Sequence, residues 1–357
     1  MNKEPRDFIR EDLQASQAGD ISLLNELKGG RILITGGTGF VGSWLAELLT
    51  FLNDEFNFGI QLNILSRKAH ELKTRLPHLA GRPDVTLIDK DVRSVINIPE
   101  DIQWIIHAAG TPDNRVHASD PLKTMQVIAQ GANAVLEAAT RSSTIIKILH
   151  ISSGLIYGSQ PWTMETMPET FYTGALNCAA AAAGYAEAKR YAETLCAVYR
   201  SQYRLPVVIA RPFAFIGPYQ LLDRPWAINN FIRDALLGQS IRIMGDGETI
   251  RSYMYASDMA WWFLTLLVRG EVGACYNVGS PDGVSLRELA EKIAGNFAGR
   301  PPGILTRVAS HLSPSRSKFV PDVGSAGRSM GLKVTVNLDT TIKRTIIWHQ
   351  RYPMGGN

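Results

Sequence analysis

Cysteine is scarce in this chain of 357 residues: the three cysteines, Cys178, Cys196 and Cys275, lie far apart and form no CxxC pair. An odd and scattered set argues against a disulfide framework and against a zinc site built on paired cysteines, and it favours a reducing compartment. The seven histidines also lack the spacing of metal ligands. We therefore expect no metal site.

Long apolar runs are missing as well. No stretch approaches membrane-spanning length, and the first residues, MNKEPRDFIREDLQ, are charged where a signal peptide would be apolar. The net charge is only +4, and no run of Lys and Arg marks a nucleic-acid surface. We expect a cytoplasmic protein that binds an anionic small molecule and neither membrane nor nucleic acid.

The chain does contain short apolar runs that alternate with helical stretches. These runs are RILIT (31–35), IQLNILS (60–66), DVTLID (84–89), WIIHAA (104–109), IIKILHISS (145–153) and PVVIARP (206–212). Alternation of this kind is typical of βαβ units with helices on both faces of a sheet. It predicts an α/β fold with a doubly wound parallel sheet of the Rossmann type.

The same pattern divides the chain into three parts. Residues 1–28 are expected to form a polar N-terminal appendage. Residues 29–212 are expected to form a dinucleotide-binding domain, in which about 158–183 is an insertion that lines the cleft. In residues 213–357 the alternation decays and Gly and Pro interrupt it, so we expect mainly a smaller substrate-binding lobe, with ACYNVGS (274–280) as one of its pieces.

A glycine-rich loop, ITGGTGFVG (34–42), follows the first apolar run and opens a helix at GxxGxxG spacing. The early glycines permit a tight turn and close approach of a pyrophosphate, the last permits close helix–strand contact, and the helix start offers free N–H groups. In this position the loop predicts dinucleotide binding. The residues expected to contact the dinucleotide are Gly36, Gly39, Phe40, Val41 and Gly42.

The end of the second apolar run bears on which dinucleotide binds. A carboxylate usually accepts from the ribose hydroxyls at this point, but this chain has Ser66, Arg67 and Lys68. A cation at Arg67 suits a 2′-phosphate and favours NADP over NAD. The alternative, a solvated loop charge, stays open, so the cofactor is expected to be NAD or NADP.

Two later strand ends are expected to complete the cofactor site. Asp91, with Val92 beside it, follows the third run, where a carboxylate could accept from the adenine amino group. Ala108 and Ala109 follow the fourth run and are small enough to let the cofactor lie against the backbone. Each fragment alone is weak evidence, and their order behind the glycine loop carries the prediction.

Tyr185 and Lys189 stand four residues apart in AAAAAGYAEAKRYAE (179–193), so on a helix they share one face. A free phenol has a pKa of about 10 and is a poor base at neutral pH. A nearby ammonium and a positively charged nicotinamide would both favour the phenolate. The alternative is an ordinary surface Tyr and Lys, which the glycine loop makes the weaker interpretation.

With these pieces in order, the chain resembles the extended short-chain dehydrogenase/reductase family, in particular its nucleotide-sugar epimerases and dehydratases, over roughly residues 30–350. SSGLIYGSQP (152–161) is similar to the family's Ser/Thr-x-x-x-Tyr-Gly segment. The resemblance implies that Ser153 is the catalytic hydroxyl, that Tyr185 is the acid/base that contacts the sugar, and that Lys189 is its partner and holds the cofactor ribose.

Further matches and departures concern the substrate. GDGETIRSYMYASDMA (245–260) resembles the family segment whose arginine binds the substrate diphosphate, which implies that role for Arg251. Arg307 or Arg316 would give a second phosphate contact, and Arg316 is the candidate retained. Asparagines common in the family are replaced by Ile128 and Ala214.

Gly154 and Leu155 stand where dehydratases of the family place Asp-Glu and related decarboxylases place a glutamate. Those acids lift the C5 proton and protonate the departing C6 hydroxyl, whereas epimerases need no such acids. The resemblance thus implies an NAD(P)-dependent nucleotide-sugar epimerase, unless Glu165 or Glu169 substitutes. The alternatives are a keto-sugar reductase, a 4,6-dehydratase, or, from another class, a catalytically silent dinucleotide-sensing protein.

The resemblance also implies a second copy of the chain as partner. Extended family members pair through the helix before the fifth strand and the helix that carries the tyrosine. Here these are about 121–141 and 184–203. A homodimer is therefore expected, beside a nucleotide sugar as the small-molecule substrate.

Overall fold

The computed structural model describes residues 4–16, 21–110, 113–172, 177–297, 299, 301–306 and 317–352. Its strands are β1 (Arg31–Thr35), β2 (Gln61–Ser66), β3 (Val85–Asp89), β4 (Trp104–His107), β5 (Lys147–Ile151), β6 (Val207–Pro212), β7 (Phe215–Ile216), β8 (Ile241–Ile243), β9 (Ile250–Arg251), β10 (Met254–Tyr255), β11 (Cys275–Val278), β12 (Val284–Ser285), β13 (Ile304–Thr306) and β14 (Lys318–Phe319).

Its α-helices are α1 (Pro5–Ala15), α2 (Phe40–Phe56), α3 (Leu72–Arg75), α4 (Pro77–Ala80), α5 (Asn114–Ser119), α6 (Pro121–Thr140), α7 (Gly184–Tyr203), α8 (Ala227–Leu236), α9 (Ala256–Arg269), α10 (Leu286–Ala294), α11 (Gly324–Met330) and α12 (Leu338–Arg351). Short 3-10 helices span Ile21–Leu27, Ala69–Glu71, Val92–Ser94, Gly154–Tyr157 and Ala181–Ala183.

The large sheet has seven strands in the order β11-β6-β5-β4-β1-β2-β3, and every neighbouring pair is parallel. The strand order reverses between β1 and β4, so their carboxyl ends border the crevice where doubly wound sheets bind ligands. The α/β fold with a Rossmann-type parallel sheet, predicted from the alternation of runs, is confirmed.

Alternate side chains of the central strands supply two cores. Ile32 and Ile34 of β1 are buried in the core that contains α2 and α9, whereas Leu33 is buried in the core on the α6 side. Successive strand residues point to opposite faces, so a strand buried on both sides reads as a continuous apolar run. This explains why RILIT carries no polar alternation.

The chain returns to the large sheet after residue 212, within the range expected for the smaller lobe. Strand β11 pairs with β6 from Cys275 opposite Ile209 to Val278 opposite Pro212, and α9 packs against β5 and α2. Within the segment 274–280, Cys275–Val278 therefore belong to the large sheet rather than to the smaller lobe. The sequence pattern missed this because a short strand carries no marker of the strand with which it pairs.

The smaller lobe has its own apolar core. It is formed by α8, α10 and α12 with short strands, and its fully buried residues include Ile216, Phe231, Ile241, Leu289 and Ile342. The small sheets around it have the orders β12-β9-β14, β13-β8 and β10-β7. Helix α10 begins with a capping box between Ser285 and Glu288, which satisfies two backbone N–H groups.

The N-terminal helix α1 connects the two parts of the molecule. Phe8, Ile9 and Leu13 are buried in the main core. The carboxylate of Asp12 accepts a hydrogen bond of 2.5 Å from the Tyr255 hydroxyl and lies 2.6 Å from Nε of Arg344 on α12. The polar appendage expected at 1–28 is thus, in its described residues, an integral part of the packed body.

Two kinds of feature do not occur in these residues. Across the described ranges, no helix combines the length and apolar character needed to cross a bilayer. Within the same ranges, no three His, Cys, Asp or Glu side chains gather in a way that could hold a metal ion.

Candidate active site

The glycine loop lies at the carboxyl ends of β1 and β4, and the three glycines of its GxxGxxG pattern have different surroundings. Gly36 has φ +72°, and a Cβ there would lie 2.8 Å from the carbonyl oxygen of Ala108. A Cβ on Gly42 would collide with the backbone of Gly37. At Gly39, by contrast, a Cβ would approach only the Gly36 carbonyl oxygen, at 3.4 Å. Nothing in the fold therefore requires glycine at 39, which fits a ligand that approaches from outside.

Helix α2 begins directly after this open position, since Gly39 is its N-cap residue. The first N–H groups of a helix have no intrahelical acceptor, and the dipole places positive potential there. In α2 these are the N–H groups of Phe40, Val41 and Gly42. A free helix end beside an uncrowded glycine fits a pyrophosphate, so the residues expected to bind a dinucleotide are assembled in one place.

The end of β2 lies beside this loop. The Ser66 hydroxyl is 2.8 Å from that of Thr38, and Arg67 is exposed beyond it. The Asp91 carboxylate is engaged by Arg93, at 2.9 Å, and this bond, with the charge of Arg67 as a lesser cause, lowers the pKa of Asp91. Arg67 and Asp91 thus lie near enough to interact at the expected adenosine end, and their contacts with a cofactor stay predictions.

The other expected cofactor residues are Ala108, which continues a strand, and Ala109 and Val92, whose side chains are buried. Ala108 continues β4, because its N–H donates to the Thr35 carbonyl at 3.1 Å, and Ala109 is buried. Val92 is buried as well, against Gly131 of α6. Its side chain therefore packs in the core, and only its backbone remains to face a ligand.

The catalytic hydroxyls predicted from sequence do meet. Ser153 lies just after β5 and caps the 3-10 helix at 154–157, its Oγ accepting from the Leu155 N–H at 3.1 Å. Tyr185 lies in the first turn of α7, and its phenol is close enough to Ser153 for the serine side chain to act on the pKa of Tyr185. Both side chains are buried. Residues from a strand end and a separate helix thus form one pair.

Lys189 stands one turn further along α7, and its ammonium donates to the Ile151 carbonyl at 2.7 Å. Burial lowers the pKa of Lys189 to about 8. Burial also raises the pKa of Tyr185, and the hydrogen bond from Ser153 offsets this only in part. The sequence argument expected the lysine to favour the phenolate. In the structure burial is the largest cause, and the net effect is a raised pKa of Tyr185.

Sequence reasoning missed His117. Its imidazole is stacked on the Tyr185 ring, with centroids 4.2 Å apart and planes inclined by 16°. It lies on the short helix α5, which is capped by the buried carboxylate of Asp113. Nothing in the local sequence signals this contact, since neither a histidine nor its spacing marks a distant aromatic partner.

Gly154 is enclosed by two aromatic rings. Phe213, just after β6, and Phe319 of β14 are stacked with centroids 4.3 Å apart. A Cβ on Gly154 would lie 2.8 Å from Phe213 and 2.9 Å from Phe319. An acidic side chain at 154 would therefore have to displace both rings, and Leu155 beside it is a half-exposed aliphatic residue.

Neither nearby glutamate lies where it could replace the acids that dehydratases and decarboxylases of the family place at 154 and 155. Glu165 is exposed on the insertion. The Glu169 carboxylate accepts from the backbone N–H of Asn277 at 3.0 Å, and its carbonyl accepts from Arg211 at 3.0 Å. Glu169 is thus committed to holding the insertion against β6 and β11.

Arg251 lies on β9 next to β14, where its register partner is Phe319. Its guanidinium donates to the carbonyl and hydroxyl oxygens of Ser317, at 3.1 and 2.8 Å, and burial lowers its pKa. Among the described residues no carboxylate lies within ion-pair distance of Arg251. An uncompensated, half-buried guanidinium fits an anionic ligand. Arg307 and Arg316 lie outside the described residues.

Comparison with known proteins gives a consistent result. The model of the NAD dependent epimerase/dehydratase family matches residues 32–279, more than half of the chain. UDP-glucuronic acid decarboxylase 1 of Xenopus tropicalis is 29% identical over 332 residues, which cover 93% of this chain and 75% of that protein.

Solved structures have the same fold. An epimerase from Methanothermobacter thermautotrophicus superimposes with a TM-score of 0.78 at 23% identity, covering 92% of this chain and 95% of that one. The Bordetella bronchiseptica enzyme WbmF, in complex with NAD+ and UDP, gives a TM-score of 0.72 at 22% identity, with coverage of 91% and 94%. At these identities the likeness establishes the fold.

Proposed function

Because the chain belongs to the NAD dependent epimerase/dehydratase family, we propose that it is an NAD(P)-dependent nucleotide-sugar epimerase. In this reaction a sugar hydroxyl at C4 is oxidised transiently, and the hydride is returned to the other face of the ketone. The observation that carries the proposal is the crowded glycine at 154. An enzyme that oxidises and reduces one carbon needs Ser153 and Tyr185, and it needs no further acid.

The chain's own groups suit the proton transfer. Tyr185 takes the proton from the sugar hydroxyl, and Ser153, which lies beside the phenol, holds the reacting oxygen. When bound, the nicotinamide accepts hydride from the same carbon, and its positive charge favours the Tyr185 phenolate. Lys189 lies one helical turn from Tyr185, and its ammonium donates to the Ile151 carbonyl. It is the residue that would reach the cofactor ribose. Burial excludes water from all three side chains.

The substrate class follows from charge. Arg251 is a half-buried guanidinium whose described polar partners are neutral, so a diphosphate would supply the missing negative charge. Phe319, its register partner, reaches Gly154, which is next to Ser153. The Phe319 side chain therefore lies between Arg251, the proposed diphosphate ligand, and the residues beside Ser153. This arrangement supports a nucleotide sugar whose diphosphate and reacting carbon lie at opposite ends of the cleft.

Decarboxylation and 4,6-dehydration are the reactions that the site favours least. The Xenopus tropicalis relative is named as a UDP-glucuronic acid decarboxylase, yet the positions where such activities need acids are Gly154 and Leu155. Reduction of a keto sugar with NADPH is the second candidate. The exposed Arg67 favours this reaction, as does Ala214, which replaces an asparagine common in the family. Arg251 favours a nucleotide sugar as the substrate of either reaction.

Incubation with a panel of nucleotide sugars tests the proposal. The panel contains UDP- and dTDP-activated hexoses and UDP-glucuronic acid, each with NAD+ or NADP+, and products are identified by NMR. We expect a stereoisomer that forms without loss of water or carbon dioxide. Accumulation of a 4-keto-6-deoxy sugar or of a nucleotide pentose would overturn the assignment to epimerisation.

A homodimer and a cytoplasmic location remain proposals. Helices α6 and α7 pack closely against each other, and their outer faces expose large apolar side chains. These are Leu122, Met125, Tyr191, Val198 and Tyr203. A second copy would cover them, so light scattering at micromolar concentration should give twice the chain mass of 39.3 kDa. A strictly monomeric species would contradict the pairing.

A further inference from the structure

The stacked imidazole of His117 has no part in the reaction described above. We infer that His117 is a positioning residue that holds the Tyr185 ring in the orientation required for proton transfer. The inference rests on the proposed role of Tyr185 as the acid/base. It concerns the freedom of the phenol ring and not a proton carried by the imidazole.

Tyr185 needs a restraint of this kind because of where it lies. It occupies the first turn of α7, directly after Gly184, which is flanked by the short 3-10 helix at 181–183. Its phenol lies near Ser153, and its ring belongs to the same buried cluster as Ile128 and Ala132 of α6. The phenolic oxygen is displaced when the ring swings about the Cα–Cβ bond. A second ring stacked at 4.2 Å opposes that swing, and also flips of the ring about its long axis, because a turned ring would strike it.

His117 is itself held firmly. The Asp113 side chain caps α5 by accepting from the Arg115 N–H at 2.9 Å. The same carboxylate, 2% exposed, accepts from the side chains of Arg115, at 2.9 Å, and Arg224, at 2.6 Å. The bond to Arg115, with that to Arg224, lowers the pKa of Asp113. Arg224 follows β7 in the smaller lobe, so that lobe fixes the helix that carries His117.

The contact lies at the rim of the site and not in a core. His117 is only partly buried, and its helix is mostly exposed. Removal of the imidazole should therefore leave the fold intact, which makes the role testable by substitution.

Three variants separate positioning from packing. His117→Ala removes the stacked ring, His117→Phe keeps a ring without the imidazole nitrogens, and Val116→Ala alters an exposed neighbour on the same helix as a control. Misplacement of a reacting group can reduce turnover by as much as about a hundredfold. We expect His117→Ala to lower kcat by about 10- to 100-fold with little change in KM, and His117→Phe to restore most of it. Loss of kcat in the phenylalanine variant equal to that in the alanine variant would overturn the inference.

A readout independent of turnover completes the test. In deuterated protein labelled with carbon-13 at the tyrosine ε positions, the Tyr185 signals are assigned by their absence in Tyr185→Phe. We expect two inequivalent ε signals in the native chain and their merging in His117→Ala, because the ring then flips freely. Unmerged signals in His117→Ala would refute the positioning role. Merging without turnover of any nucleotide sugar would support positioning while refuting the proposed function.

Discussion

The cofactor side of the cleft, around the glycine loop, differs in its construction from the substrate side, around Gly154 and Arg251. On the cofactor side, the glycine loop and the start of α2 are continuous in residues 34–42, and the ends of β2 and β4 each directly follow an apolar strand. On the substrate side, Gly154, Phe213 and Phe319 meet from three distant segments. Arg251 meets Ser317 in the same way.

The difference shows which features a cleft of this fold can change independently. A strand–glycine loop–helix unit has little freedom, since Gly36 and Gly42 are each fixed by backbone atoms nearby. The substrate side is a meeting of side chains, so one substitution changes the space around the reacting carbon. Among proteins with this fold, we therefore expect the cofactor side to vary little and the substrate side to vary more.

The largest effect is expected where the two sides meet, at Tyr185. Tyr185→Phe removes only the hydroxyl that accepts the proton, so turnover should fall by about 10²- to 10⁴-fold. The fold and the affinity for cofactor should stay unchanged, because ring packing against Ile128 is kept. Steady-state kinetics and titration with NAD+ measure these quantities.

Tyr191→Phe on the same helix is the matched control, since Tyr191 is 53% exposed. It should turn over like the native chain. Near-native kcat in Tyr185→Phe would remove Tyr185 from the catalytic assignment.

The glycine loop offers the next test, because two of its glycines are expected to fail differently. Gly42→Ala places a methyl group against the backbone of Gly37, which should destabilise the protein by about 1–3 kcal/mol or more. Gly39→Ala meets no such obstacle within the protein. It should keep the free energy of unfolding within about 0.5 kcal/mol and weaken NAD+ binding by about tenfold or more, or roughly 1.4 kcal/mol.

Urea unfolding and calorimetric titration of the two variants separate stability from affinity. If Gly39→Ala bound NAD+ as tightly as the native chain, the open space above Gly39 would not be where the pyrophosphate lies. If Gly42→Ala were as stable as the native chain, the loop would be less constrained than the backbone contact indicates.

The smallest expected effect concerns the choice of cofactor. Arg67 is exposed at the end of β2, so Arg67→Ala should not alter stability. If its guanidinium meets a 2′-phosphate, NADP+ affinity should fall by about tenfold, since a charged hydrogen bond is worth about 1.5–3 kcal/mol. NAD+ affinity should change little. Lys68→Ala, which removes a lysine paired with Glu71, is the control, and equal loss of both cofactors in Arg67→Ala would assign Arg67 to solvent.

Much of the cofactor side could be predicted because its signals are local. The GxxGxxG loop between β1 and α2, the small residues after β4 and the Tyr-x-x-x-Lys pair on α7 all lie where the sequence placed them. Ser153 was aligned by resemblance, and its position beside Tyr185 agrees with that alignment. Backbone geometry and strand-end position depend on neighbours in the chain, so a sequence reports them directly.

The sequence argument predicted that a neighbouring lysine lowers the pKa of Tyr185, whereas burial raises it in the structure. Sequence spacing puts an ammonium one turn away, which argues for a lowered value. Burial dominates instead, because the phenol is enclosed by Ile128, Ala132 and His117. Desolvation depends on every residue that surrounds a group, and a four-residue spacing on one helix cannot report it.

By itself the sequence determined the parallel sheet, and it predicted the dinucleotide loop and the candidate reacting side chains, because apolar periodicity and glycine spacing act between near neighbours. Only the tertiary structure decided that β11 joins the large sheet, that Phe213 and Phe319 fill the space at Gly154, and that His117 covers Tyr185. These contacts join segments far apart in the chain. Their energy comes from packing that exists only once both segments have folded against the same core.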